Sequence, residues 1–149
     1  ASVAVWRALA AVVFLLIAGQ KGASAFLLGL SLVSALPRLK RRPEFLKVAA
    51  TRRKWVASGL IVQLRPRPSG EADTEQARVG FTVSRKVGNA VARNRARRRL
   101  KAAAEIVMTE HAQPGVDFVI IGRKTSLKRP FSDLEGDLTT ALKKLDAYR

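Results

Sequence analysis

Apolar positions along the chain change their period several times, and each change marks an element. Residues 1–37 are apolar almost without interruption: "ALAAVVFLLIAG" (8–19), a polar break "QKG", then "ASAFLLGLSLVSAL" (23–36). Each run falls short of the ~20 residues that a membrane span needs. Joined, they would bury Lys21, which is costly in hydrocarbon. Three readings stand: a signal-like segment, a membrane anchor or hairpin, and an upstream extension outside the working protein. The basic flank "PRLKRR" (37–42) would keep an inserted segment's neighbour on the cytoplasmic side. We expect the third reading, because the pattern of a full domain starts at Arg38; residues 1–37 are then an apolar N-terminal extension and 38–149 the domain.

From Arg38 the pattern is mixed α/β. Phe45, Val48 and Ala49 recur at helical spacing, with Pro43 suited to a first turn and Glu44 to the positive end of the dipole, which predicts a short helix over about 42–51. "GLIVQLR" (59–65) and "RVGFTVS" (78–84) read as strands, separated by the loop-like "PRPSGEADTEQA". "VDFVIIG" (116–122) reads as a third strand, buried on both faces. Ser132 and Glu135 have the spacing of a capping box, and Leu134, Leu138, Ala141, Leu142 and Leu145 form the stripe of a last helix that should cover the sheet. Trp55 and Phe81 are expected in the core.

Between the second and third strands lies "GNAVARNRARRRLKAAAE" (88–105), where Asn89 can cap a helix running to about His111. At 100° per residue, Ala92, Ala96, Leu100, Ala103 and Val107 fall on one stripe. Arg93, Asn94, Arg97, Arg98 and Lys101 take the opposite face, with Arg95 and Arg99 at the core edge. A solvated helix usually places acids four residues from its cations; this face has none. Guanidinium forks match phosphate oxygens in pairs, so the face reads as a surface for a polyanion.

Charge over the whole chain agrees: 28 Lys and Arg against 11 Asp and Glu give +17. All 11 acids and 26 of the basic residues lie beyond Pro37. Such an excess implies nucleic acid or an anionic membrane as partner. The absence of Cys and a single His111 exclude disulfides, thiolate metal sites and any paired-histidine metal motif. No Ser-His-Asp, Cys-His or paired-carboxylate set is recognisable.

"SRKVGNAVARNRARRRLK" (84–101) resembles the signature of the bacterial ribonuclease P protein component family: a basic pair and Gly before Ala-Val, then Arg-Asn-Arg, then more basic residues. The resemblance extends through "RLKRRPEFLKV" before it, "RVGFTVS" just upstream and "DFVIIGRK" (117–124) after it, covering about 38–147. Ala96 departs from the pattern, which usually has a larger aliphatic residue there. Residues 1–36 lie outside it.

The resemblance implies an α/β sandwich of the ribosomal protein S5 domain 2-like type, classed α+β, with a mixed sheet and a left-handed βαβ crossover through the basic helix. It implies the protein subunit of a ribonucleoprotein that matures tRNA 5′ ends, cytoplasmic, with Mg²⁺ used by a catalytic RNA and no catalytic residue on the protein. The partners implied are that RNA and precursor tRNA, with no protein partner, and with a membrane role confined to residues 1–36. Carried over to the RNA-docking motif are Arg85, Lys86, Asn89, Arg93, Asn94, Arg95, Arg97, Arg98 and Lys101. A second family surface, a cleft for the single-stranded 5′ leader, is matched by Phe45, with Lys47 and Lys54 adding charge and Arg123 and Lys124 either joining it or merely exposed. Core packing is the competing role for Phe45, because Ala49 stands where many relatives have another aromatic. Any metal ligand on the protein is left open. The rival functions are a membrane-associated cationic protein and a general RNA-binding protein.

Overall fold

The computed structural model describes residues 36–71 and 75–149; the apolar segment before Leu36, and every reading made of it, lies outside them. Residues 60–66 alternate buried and half-buried side chains, as a strand with two unlike faces must. They form β2 (Leu60–Pro66), which lies between β1 (Lys54–Val56) and β4 (Val116–Gly122), antiparallel to both. β3 (Arg78–Val83) pairs in parallel with β4, giving the order β1-β2-β4-β3. A parallel neighbour requires a crossover, and α2 (Ala90–His111) supplies it. α1 (Arg42–Ala50) precedes the sheet and α3 (Phe131–Lys144) closes the chain. The fold is thus α+β, with a four-stranded mixed sheet and three α-helices among the described residues.

One face of the sheet carries Leu60, Val62, Leu64, Val79, Val83, Phe118 and Ile120, under the Ala96, Leu100, Ala103 and Val107 stripe of α2 and the leucines of α3. Phe81 packs against this core from its rim. The opposite face carries Val119 and Ile121, which meet Leu39, Phe45 and Val48 from α1 and the segment before it. The sheet is therefore sandwiched, and the near-continuous burial of β4 follows from covering on both sides. Leu36 and Pro37 belong to the same compact unit: Leu36 touches the main core, and the Val79 N–H donates to the Pro37 carbonyl at 2.9 Å.

Three expectations need correction. β1 was not anticipated, since three residues, all exposed, are too short to show a period of two. Trp55 lies on that edge strand at 36% exposure rather than in the core, its ring 5.7 Å from the Lys144 ammonium. Ser132 does not cap α3. Pro130, held at φ −55°, takes the N-cap position, and its carbonyl accepts from the Leu134 N–H, so Ser132 falls inside the first turn.

A carboxylate sits in the middle of this fold. Asp117 on β4 is 1% exposed and accepts from Arg67 Nη1, Arg78 Nε and Arg78 Nη2, each at 2.8 Å. Arg65 and Arg78 are its cross-strand neighbours on β2 and β3, and Arg65 Nη1 is 3.7 Å away. Arg67 also donates to the Gln76 carbonyl, so the two ends of the 67–77 loop are tied to one another. Removing one partner of a buried pair strands the other's charge. Asp117→Ala should therefore lower the unfolding free energy in urea by about 3–5 kcal/mol; a change below about 1 kcal/mol would mean that Arg67 and Arg78 find other partners or water.

Candidate nucleic-acid interface

The surface of α2 begins with its cap. Gly88 takes φ +155°, and Asn89 Oδ1 accepts from the Ala92 N–H at 2.9 Å, satisfying an orphan donor of the first turn. Asn89 is thus exposed but partly committed to the helix. With that start the facing follows: Ala96, Leu100, Ala103, Ala104, Val107 and Met108 are buried. Asn94 and Arg98 are exposed, as is Arg95, which was expected at the core edge and instead joins the outer face, and Arg93, Arg97 and Lys101 are half-buried. None of these five arginine and lysine side chains on the outer face (Arg93, Arg95, Arg97, Arg98, Lys101) is in an ion pair among the described residues. Asn94 Oδ1 lies 3.4 Å from Arg97 Nη1 one turn on, a long hydrogen bond. Arg99 differs from its neighbours. It turns to the loop after β4 and donates to the carbonyls of Ser126 and Leu127, both at 2.7 Å, and to that of Arg129.

Crowding of like charge is felt on this face. Burial lowers the Lys101 pKa from its ordinary value, and the positive charges of Arg38 and Arg97 lower it further, against the pull of Glu105. An anion seated there would reverse those charge effects.

The strand ends gather the remaining cations. Val83 of β3 is in register with Gly122 of β4, so the turn holding Arg85 and Lys86 runs beside the loop holding Arg123 and Lys124. Arg123 Nη1 donates to the Ala57 carbonyl at 2.7 Å, joining this loop to the β1–β2 connection. Lys124 is exposed and lines a cavity of about 670 Å³ with Val87, Leu127 and Lys128.

Phe45, Lys47 and Lys54 lie on the other face of the sheet. Phe45 is half-buried over β3 at Gly80, where an added Cβ would stand 2.5 Å from its Cε1. A glycine within a strand often marks such a close approach, and Gly80 in "RVGFTV" is the mark of it in the sequence. Beyond Phe45 the face continues through Thr82 and Val56, which are exposed, and Ile121 and Ile61, which are half-buried. Lys54 stands opposite Gln63. Lys47 Nζ is 3.7 Å from Glu71, whose carboxylate is gripped by both Arg65 amino groups at 2.9 and 3.2 Å. The Arg65 hydrogen bonds hold the Glu71 pKa below its ordinary value. That of Glu44 is lowered chiefly by the Arg41 N–H, which donates to Oε2 at 2.9 Å, with Lys40 and Arg78 adding to the effect.

The structure thus places the site candidates in three groups: the outer face of α2, the strand-end loops, and the α1 side of the sheet. A basic helix on a βαβ crossover, with the sheet face bearing Phe45 on the opposite side, is the geometry on which comparison with known proteins bears. The Ribonuclease P family pattern matches residues 34–146. The chain belongs to the ribonuclease P protein family. It is 53% identical over 118 residues to the ribonuclease P protein component of Paramagnetospirillum magneticum, covering 79% of this chain and 89% of that one. Against the same component from Ruegeria pomeroyi it is 51% identical over 115 residues, covering 76% and 90%. Among solved structures, the RNase P protein from Thermotoga maritima aligns with a TM-score of 0.59 at 25% identity, over 72% of this chain and 96% of that one. The Staphylococcus aureus RNase P protein, at 21% identity and a TM-score of 0.61 over 75% and 97%, shares the fold. Ribonuclease P protein components serve in tRNA 5′ processing, and that is the role of this chain.

Gly80 gives a test of how Phe45 is held. Gly80→Ala should destabilise the protein by about 1–3 kcal/mol through overpacking. In a Phe45→Ala background the same change should cost much less, because the clashing ring is gone; equal costs in the two backgrounds, by urea denaturation, would remove the proposed contact.

Proposed function

We propose that the chain acts as the RNA-binding accessory of a ribonuclease P holoenzyme whose catalytic RNA cleaves precursor tRNA. The outer face of α2 docks on that RNA, and the α1 side of the sheet takes the single-stranded 5′ leader. The observation that carries this reading is the α2 face itself, with five cations that form no ion pair among the described residues, interrupted by the donor and acceptor Asn94. Phosphate contacts of this kind fix register and orientation without reading sequence. Aromatic stacking tolerates any base, which suits Phe45 to a leader of variable sequence, and Lys54 supplies charge at the opposite edge of the same sheet face, on β1.

Hydrolysis in this reading belongs to the RNA and its Mg²⁺. Among the described residues no three ligand-type side chains gather, and Asp117, Glu44 and Glu71 are each held by arginine. The donor set of the described residues does not fit a protein-held Mg²⁺. Work on precursor tRNA implies the cytoplasm as the site of action. Among the described residues no helix is long and apolar enough to cross a membrane.

The test is reconstitution of the full chain with a bacterial ribonuclease P RNA at low Mg²⁺. Precursor cleavage should rise, and no stimulation would remove the proposal. Arg93→Ala with Arg97→Ala should weaken assembly about tenfold or more and flatten the salt dependence by roughly 1.4–1.8 in slope, the share of two phosphates. Circular dichroism should be unchanged, since neither side chain belongs to the apolar core.

A further inference from the structure

The loop that follows β4 is fixed from several sides, yet its lysines are free. Arg123 holds the Ala57 carbonyl, Thr125 Oγ1 donates to the Ser58 carbonyl, and Ser126 Oγ donates to that of Gly59. Arg99 reaches across from α2 to three of its carbonyls. Arg129 is clamped by Asp137, Nη2 to Oδ1 at 3.0 Å. Lys124 and Lys128 take no part: both are exposed, and among the described residues neither side chain has an ion pair or a hydrogen bond.

Between these lysines opens the cavity of about 670 Å³, with Val87, Leu127 and Pro130 in its wall and no carboxylate lining it. That volume is within the ~300–1,000 Å³ of small-ligand sites. An apolar wall suits a flat ring, and two unpaired ammonium groups suit the phosphates on either side of it. A loop already fixed by its own hydrogen bonds has little ordering left to lose on binding. Its place in the fold narrows the source. Val87 belongs to the core under α2, and Arg99 ties the loop to the same helix, whereas Phe45 and Lys54 lie on the sheet's other face.

Resting on the function proposed above, we infer that the cavity holds one unstacked nucleotide of the RNA that docks on α2. Its base lies against Val87, Leu127 and Pro130, and its neighbouring phosphates lie on Lys124 and Lys128. The contact places an anchor at the strand ends, outside the arginine-rich stretch.

The chain has no cysteine, so Lys128→Cys creates a unique thiol for an aryl-azide photo-crosslinker. In holoenzyme assembled from the full labelled chain, irradiation should join position 128 to an unpaired nucleotide of the ribonuclease P RNA, equally with and without precursor tRNA. Crosslinking only to precursor, only to base-paired RNA, or to no RNA overturns the inference. Lys124→Ala with Lys128→Ala should weaken assembly about tenfold and flatten its salt slope by roughly 1.4, with circular dichroism unchanged. If this variant assembles as tightly as the unaltered protein, the inference fails and the function proposed above stands. If the unaltered protein does not assemble with the RNA, both fall.

Discussion

A carboxylate buried in a strand must be matched by cations or give up its charge, and Asp117 is matched by residues from two separate stretches of chain. Arg65 and Arg67 bring the end of β2 and the residue just beyond it, and Arg78 brings the start of β3. Arg78 then passes the constraint to α1, where its Nη1 donates to Glu44 at 3.1 Å. Glu44 in turn accepts from the N–H groups of Lys40 and Arg41, both at 2.9 Å, and so fixes the first turn of α1. The lateral position of α1 on the sheet follows from this chain of contacts. Two residues along β3 from Arg78, Gly80 leaves the space that Phe45 occupies. The ionic row thus closes one end of the sheet's outer face, and the aromatic stands next to the part left open.

The arginines of α2 divide by what the backbone offers them. Arg99 points where the 124–130 loop presents carbonyls, and it satisfies three of them. Its neighbours point where there are none. Repeated positive charge along a helix face is unfavourable by itself. It is tolerated here because the opposite stripe is deeply buried, with Ala96, Ala103 and Ala104 at 0% exposure and Leu100 at 1%. Ala96, where the resembled pattern has a larger aliphatic residue, lies in this buried stripe, away from the exposed cations. A polyanion seated on the cationic face would relieve that repulsion.

Periodic features were the legible ones. The stripe of α2, the Asn89 cap, the leucines of α3 and the double burial of β4 each leave a repeated mark in sequence, and each appears in the structure. The three-residue β1 has no length in which to repeat. Asp117 gave no sign of its partners because Arg67 and Arg78 are distant in sequence and meet it only through strand register. The Ser132 to Glu135 spacing was correct for a cap, but Pro130 set the helix start earlier. Within the site, the α2 cations were readable from spacing. The cavity around Lys124 and Lys128 was not, because its wall joins Val87 to residues 124–130 across the crossover.

The placement of the charges limits how an RNA assembly can use this protein. A sheet is covered at roughly 10 Å by each packed layer, so the α1 side and the outer face of α2 are separated by the full thickness of the sandwich. The loops at the ends of β3 and β4 join them, because the β3–β4 register brings Arg85 and Lys86 beside Arg123 and Lys124. With Arg123 held to Ala57 and Arg99 to the following carbonyls, this joint is rigid. On the proposed function, the protein then sets a fixed distance between docked RNA and leader. The spacing is carried by the covalent and hydrogen-bonded frame of β3 and β4, so changes in the surface cations alter how tightly each partner binds without altering where they are held relative to one another.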